Sequence, residues 1–377
     1  MPLAVTARPP FAAPTTTTEL VEAICTARDE RRIVELRGAG TKAGMGDPRR
    51  ERAIIDLRGF AGIIDYEPRE LVLTVGAGTP LAEIERLLAA NGQMLAFEPT
   101  GGTIGGVVAA GASGPRRPFA GGVRDHVLGI EGVSGRGEAF KAGGRVVKNV
   151  TGYDIARLMT GSWGRLAAIT SVSIKVLPKP RAEATLLIEG LEDRAGLVLM
   201  ARAAGSAAEI PGAAHVPSVG TLLRLEGFGP SVAARAEMLI AMCAEGKEPR
   251  LIEGEDSPAL WREVREASGL PGELLLWRVT GPATAASRLT EKLTGAAWFY
   301  DWAGALVWVA APEEIDVRGA ASAAGSQASL VRASEDMRAR IPALHPESVG
   351  AAALRARIKA GFDPAGILDP DRFSARR

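Results

Sequence analysis

Apolar residues at Leu20, Val21, Ile24 and Ala27 recur at the three-and-four spacing of a helix face. Thr16, with Glu19 three residues on, supplies a capping box ahead of them. The run Ile33-Val34-Glu35-Leu36 then reads as a strand that feeds directly into Arg37-Gly38-Ala39-Gly40-Thr41-Lys42. Further strands are expected over 53–57 and 71–75. The clearest helix of the chain spans 80–91: Thr79 stands as N-cap, Pro80 at the tolerated first position, Leu81, Ile84, Leu87 and Leu88 on one face, and Gly92 as the stop. Leu95-Ala96-Phe97 reads as a short strand before a second glycine-rich loop over 99–106. From Ile169 the pattern alternates, with Val172, Ile174 and Val176 on one face, until Pro178-Lys179-Pro180 ends it. Beyond that point strands expected over 185–189, 221–228, 273–280, 297–302 and 306–310 interleave with helices over 231–245 and 258–268. That rhythm suits an α+β module of the split βαβ type.

A length of 377 residues suits about two domains. The boundaries expected are 1–180, 181–345 and a closing segment 346–377. Lys and Arg total 45 against 44 Asp and Glu, so bulk attraction to nucleic acid is not indicated. Cys25 and Cys243 are the only cysteines and are too far apart in sequence to form the closely spaced sets of iron–sulfur or structural zinc sites, so no metal is expected. With no disulfide framework, a reducing cytoplasm is the expected compartment. No uncharged apolar run reaches the ~20 residues of a membrane span, and no signal peptide is apparent.

Glycine use is uneven: 17 of the 45 glycines fall between Gly101 and Gly164, so that stretch must turn often or let something approach its backbone. Residues 37–46 and 101–106 each follow a short strand, and each can form a nest of N–H groups for an anion such as a pyrophosphate. The Walker pattern fails because Ala43, not Ser or Thr, follows Lys42. The Rossmann pattern fails for want of a third glycine in register.

Five signatures resemble the FAD-binding domain of the vanillyl-alcohol oxidase or p-cresol methylhydroxylase (PCMH) type. They are Arg37-Gly38-Ala39-Gly40-Thr41, Thr103-Ile104-Gly105-Gly106, Val123-Arg124-Asp125-His126-Val127-Leu128-Gly129, Lys148-Asn149-Val150-Thr151-Gly152-Tyr153-Asp154 and Gly161-Ser162-Trp163-Gly164. Phe362-Asp363-Pro364-Ala365-Gly366-Ile367-Leu368 is similar to the closing segment of that family. Within it, Ala112-Ser113-Gly114-Pro115-Arg116-Arg117-Pro118-Phe119-Ala120-Gly121 with Arg124-Asp125 is most similar to the FAD-binding E-subunit family of glycolate oxidase (glycolate dehydrogenase) complexes.

The resemblance implies an α+β fold: a PCMH-type FAD-binding domain of two α/β subdomains, then a ferredoxin-like α+β cap. It implies FAD wrapped at its pyrophosphate by Arg37, Gly38, Ala39, Gly40, Thr41 and Lys42 on one side. Pro99, Gly101, Gly102, Thr103, Ile104, Gly105 and Gly106 close the other side, with Ala109 beyond. Ala112, Ser113 and Gly114 would follow the flavin edge, and Val127, Gly164 and Ile169 the adenine or ribose end. No His or Cys stands where covalent members attach flavin, so the FAD is expected to be non-covalent. The resemblance further implies a complex with a homologous catalytic flavoprotein subunit and an iron–sulfur subunit. That complex oxidises a small 2-hydroxy acid, glycolate to glyoxylate, and is peripheral at the inner face of the membrane through partners. Asp369-Pro370-Asp371 stands where Asn-Pro-Gly is usual, so the family contact made by that Asn is in doubt.

No catalytic residue is identified by pattern. His126, His215 and His345 are scattered, and only His126 lies inside a flavin-domain motif. Arg116 and Arg117 form a basic pair that fits a carboxylate, a partner or simple solvation, the last by base rate. Two alternatives to the complex subunit therefore stay open: a self-sufficient FAD-dependent 2-hydroxy acid dehydrogenase, and a non-catalytic subunit stabilised by FAD.

Overall fold

The computed structural model describes residues 10–48, 52–145, 153–243 and 247–373, so the motif positions 148–152 lie outside the described residues. Helix α1 (Thr17–Asp29) has its capping box: the Glu19 N–H donates to Thr16 Oγ1 at 3.2 Å, and the Thr16 N–H donates to the Glu19 carboxylate at 3.3 Å. Its buried face is Leu20, Ile24 and Ala27. Strand β1 (Val34–Arg37) pairs in parallel with β2 (Ala53–Asp56) in a small sheet. A second, antiparallel sheet holds β3 (Ile63–Glu67), β4 (Val72–Gly76), β6 (Val127–Ser134), β7 (Ala139–Gly143) and β8 (Ala167–Lys175) in the order β3-β4-β8-β6-β7. Helix α2 (Leu81–Ala90) buries Leu81, Ile84 and Leu88 against it, and Gly92 ends the helix at φ +64°.

Local readings shift in three places. Pro80, not Thr79, is the cap residue of α2, because the Thr79 hydroxyl is used instead on the Gly62 and Gly76 carbonyls. Residues 95–97 are buried loop rather than strand; the strand there is β5 (Gln93–Met94), pairing with β9 (Leu177–Pro178). The second glycine loop turns into helix α3 (Ile104–Ala110), and the short helix α4 (Arg117–Ala120) follows.

The remaining strands form one eight-stranded antiparallel sheet: β10 (Ala182–Ile188), β11 (Gly212–Val216), β12 (Gly220–Gly227), β13 (Arg250–Ile252), β14 (Leu275–Thr280), β15 (Ala297–Asp301), β16 (Leu306–Ala311) and β17 (Gln327–Arg332). Their order is β13-β10-β12-β11-β15-β16-β14-β17. The first four, with helices Asp193–Ala204 and Gly229–Ile240, make one ferredoxin-like βαββαβ unit, and the last four, with helices Ala286–Thr290 and Val317–Ala323, make another. The cap thus holds two such units where the sequence suggested one. They join edge to edge through β11 and β15 at His215 and Tyr300.

Strand periodicity gives this sheet two unlike faces. Leu186, Leu223, Leu225, Trp277, Val279 and Val309 pack under the helices. The opposite face carries Leu187, Leu222, Leu276 and Phe299 beneath Trp261, and at alternate positions on the same strands Glu183, Arg224, Glu226 and Arg278. That polar part meets the first unit: Trp302 Nε1 donates to the Gly114 carbonyl at 2.9 Å, and Arg224 to Glu98 at 2.7 Å. The C-terminal segment returns to β1, where the Asp369 N–H donates to Val34 O at 3.0 Å. Asp369, in place of the expected Asn, is ion-paired with Arg52 at 2.6 Å and with Arg372 at 3.4 Å.

Candidate cofactor-binding site

The two glycine loops face each other. Gly38 stands so close to Thr103 that a Cβ on it would overlap the Thr103 hydroxyl, and a Cβ on Gly102 would lie 2.7 Å from Thr41 Oγ1. The Thr41 hydroxyl and the Lys42 ammonium both donate to the Gly101 carbonyl, at 3.4 and 3.3 Å. Between the loops a cleft runs from Lys42 and Thr103 to Trp163, Gly164 and Ile169.

Its chemistry is set by the backbone. Gly40 has φ +71°, a left-handed turn that glycine takes without strain. Among the described residues none supplies an acceptor to the N–H groups of Ala39, Gly40, Thr41 or Lys42. Consecutive free N–H groups in such a turn form an anion nest. Burial holds the Lys42 ammonium below the usual lysine pKa, so an anion beside it would be doubly favoured.

Of the residues singled out from sequence, Arg37 to Lys42, Thr103, Gly105, Gly106, Ala109, Gly164 and Ile169 line this cleft. Arg37 contributes main chain rather than charge, because its guanidinium is taken bidentately by Glu35 at 3.0 and 3.1 Å. Gly105 has a packing reason as well: a Cβ would sit 2.7 Å from Ala77 Cβ, where α3 meets the end of β4. Pro99, Gly101 and Gly102 support the second loop without lining the cleft, while Ile104 and Val127 are core residues. Ala112 packs against that core, the Ser113 hydroxyl accepts from the Val123 N–H at 3.0 Å, and Gly114 is buried against Glu98.

Among the cleft residues that the sequence reading did not single out are Trp163 and Arg372. Trp163 has φ +57° and packs edge-on against Phe373 at 5.1 Å. Arg372, from the far end of the chain, donates to Lys42 O at 2.9 Å and Met45 O at 3.2 Å and so braces the first loop from outside. Trp163 lay inside a quoted motif; nothing local marked Arg372.

Three comparisons bear on this geometry. A family model described as an FAD binding domain matches residues 9–143. The glycolate oxidase subunit GlcE of Escherichia coli (strain K12) is 35% identical over 372 residues, covering 94% of this chain and 97% of that one. The chain belongs to the GlcE family of FAD-binding proteins. The glycolate oxidase subunit GlcD of Bacillus subtilis (strain 168) is 31% identical over 179 residues, 46% of this chain and 38% of that one. Among solved structures, p-cresol methylhydroxylase with substrate bound superimposes with a TM-score of 0.73 at 16% identity, covering 97% of this chain and 88% of that chain. This likeness establishes the PCMH-type fold. FAD is the cofactor of this family, and the facing loops with their free amides fit its pyrophosphate.

The weak catalytic candidates of this GlcE relative have other employment. His126 is 3% exposed; Nε2 lies 2.9 Å from Ala120 O and Nδ1 3.3 Å from Lys175 O, and its ring packs on Phe97. Carbonyls only accept, so the imidazole is spent as a donor in the core. Arg116 is not solvated, as base rate suggested, but 8% exposed. It donates to Glu98 at 2.5 Å and to Glu226 at 3.0 Å, in a buried network that also joins Arg224 to Glu98 and to Glu183 at 2.8 Å. Burial opposes the Arg224 charge, yet Glu98, Glu226 and Glu183 outweigh it and raise its pKa. This network locks the two sheets' units together. Arg117 is exposed, and its guanidinium lies 4.5 Å from the ring centroid of Trp302.

Proposed function

We propose that this chain is the FAD-carrying subunit of a complex that oxidises a small 2-hydroxy acid, glycolate to glyoxylate, with electrons passed on through partner subunits. The observation that carries the reading is the pair of loops meeting across one cleft, with the unpaired amides of residues 39–42 and the half-buried Lys42 on its wall. Residues 37–42 would hold the pyrophosphate from one side and Thr103 to Gly106 from the other, with Trp163, Gly164 and Ile169 at the adenine end. Among the described residues neither His nor Cys lines the cleft, which supports non-covalent binding. When bound, FAD supplies the two-electron acceptor; the residues here orient it and exclude water.

The partners in this reading are a homologous catalytic flavoprotein and an iron–sulfur subunit. Similarity to both GlcE and GlcD supports the first, and the chain's two cysteines leave onward one-electron transfer to another protein. No helix of the described residues is long and apolar enough to cross a membrane. A cytoplasmic location, with any membrane association through partners, belongs to the same proposal, as does the division into 1–180, 181–345 and a returning 346–377.

An absorption spectrum of the purified chain, then anaerobic glycolate with and without the catalytic partner, tests the reading. Bound flavin that bleaches only with the partner supports it. Bleaching by the chain alone favours a self-sufficient dehydrogenase, and a protein that neither holds nor takes up FAD ends the proposal.

A further inference from the structure

Trp302 sits at the start of the β15–β16 connection, where it and Ala303 both have left-handed backbone, φ +52° and +53°. Two consecutive non-glycine residues in that region are strained, which marks the turn as held in place by its surroundings. The hold is visible: Trp302 Nε1 donates to Gly114 O at 2.9 Å, and the Trp302 N–H donates to the Asp301 carboxyl at 2.7 Å. Over this fixed indole lie two guanidiniums, Arg117 from the first unit at 4.5 Å and Arg278 from β14 at 4.7 Å from the ring centroid.

Neither guanidinium has an ion-pair or hydrogen-bond partner among the described residues. The indole face attracts their charge but accepts none of their five N–H donors. Arg278 is recessed; burial, and then the charge of Arg117, bring its pKa down to about 10. Asp301, whose charge would act against that lowering, is 1% exposed, and burial pushes its carboxyl up to about 8. The two guanidiniums therefore share one indole, and among the described residues no carboxylate is hydrogen-bonded to either. Elsewhere along the same junction buried arginines are each matched to carboxylates, as Arg116 and Arg224 show. Two guanidiniums without carboxylate partners, both on one indole at the junction, leave N–H donors that an anion can accept from.

The geometry points to a carboxylate-binding site at the domain junction, with Arg278 as the recessed anchor, Arg117 as the outer cation and Trp302 as the fixed platform between the cap and Gly114. The site's existence follows from the residues themselves; assigning its ligand as the carboxylate of a 2-hydroxy acid rests on the function proposed above.

The test is calorimetric titration of the FAD-loaded chain with oxalate, which mimics the acid but cannot be oxidised at an alcohol carbon. We expect saturable one-site binding, weakened at least tenfold in Arg278→Gln, less in Arg117→Gln, and partly kept in Arg278→Lys, with flavin content and circular dichroism unchanged. Saturable binding that survives Arg278→Gln undiminished, or no saturable binding to the FAD-loaded wild type, overturns the inference. Should Arg278→Gln misfold, the exposed Arg117→Gln decides: unchanged affinity there also overturns it. Flavin content, read on the same samples, reports separately on the cofactor assignment.

Discussion

If the two loops grip one ligand, pushing them apart must loosen that grip, and Gly38 is the place to push. Gly38→Ala puts a methyl group into the Thr103 hydroxyl and 3.3 Å from Thr103 Cβ. Overpacking of this kind costs about 1–3 kcal/mol. Expressed wholly at the cleft, that weakens FAD binding by roughly 5- to 150-fold. At free FAD one hundred times the wild-type Kd, the cofactor stabilises the fold by ~2.7 kcal/mol, and a tenfold loss of affinity cuts this to ~1.4 kcal/mol. Thr103→Ala removes the hydroxyl, so Gly38→Ala/Thr103→Ala should recover most of the loss, leaving only the tight 3.3 Å contact. The assay is flavin-fluorescence titration of apoprotein for all four members of the cycle. Wild-type affinity in Gly38→Ala, or a double variant no better than Gly38→Ala once the Thr103→Ala effect is subtracted, refutes the loop-to-loop contact.

Further predictions concern the braces around the cleft and the junction. Arg372→Met leaves the Lys42 and Met45 carbonyls without their donor, so FAD affinity should fall about 5- to 30-fold, at about 1–2 kcal/mol, with the cap unaffected; equal Kd values sink it. Arg224→Leu strips a cation from one buried and two half-buried carboxylates and should cost about 3–5 kcal/mol in chemical denaturation, more than any exposed arginine such as Arg250. Asp301 holds its proton in the folded chain up to about pH 8 but releases it near 4 when unfolded. Its contribution to stability is thus complete below about 4 and lost as pH rises toward 8, with a slope of up to ~1.4 kcal/mol per pH unit that Asp301→Asn should flatten. Identical slopes in the two proteins between pH 5 and 8 would contradict this assignment. Gly105→Val should lower the thermal stability of the first unit even without FAD, since the side chain collides with Ala77 before it meets any ligand.

The cleft between the two glycine loops was legible in the sequence because its walls are main chain. A nest needs glycine or another small residue at particular turn positions, so Gly38, Gly40 and Gly106 announce themselves wherever the rest of the chain goes. Helix α1 was equally readable, its cap and apolar face being local properties of Thr16, Glu19 and Leu20 to Ala27. Thr79 shows the limit: a hydroxyl that suits a helix cap was claimed instead by Gly62 and Gly76, a competition invisible without the fold.

What folding alone decided was charge pairing across distance. Arg116 and Arg117 are neighbours in sequence, yet one is sealed among carboxylates from three strands or loops and the other lies open on Trp302. No local signal separates them, because their partners stand 18 to 185 positions away: Glu98, Glu226 and Trp302. Arg372 reaches the first loop across 330 residues for the same reason. Backbone geometry is written residue by residue, whereas desolvation of a charge depends on everything packed around it, and so the nest could be read and the arginines could not.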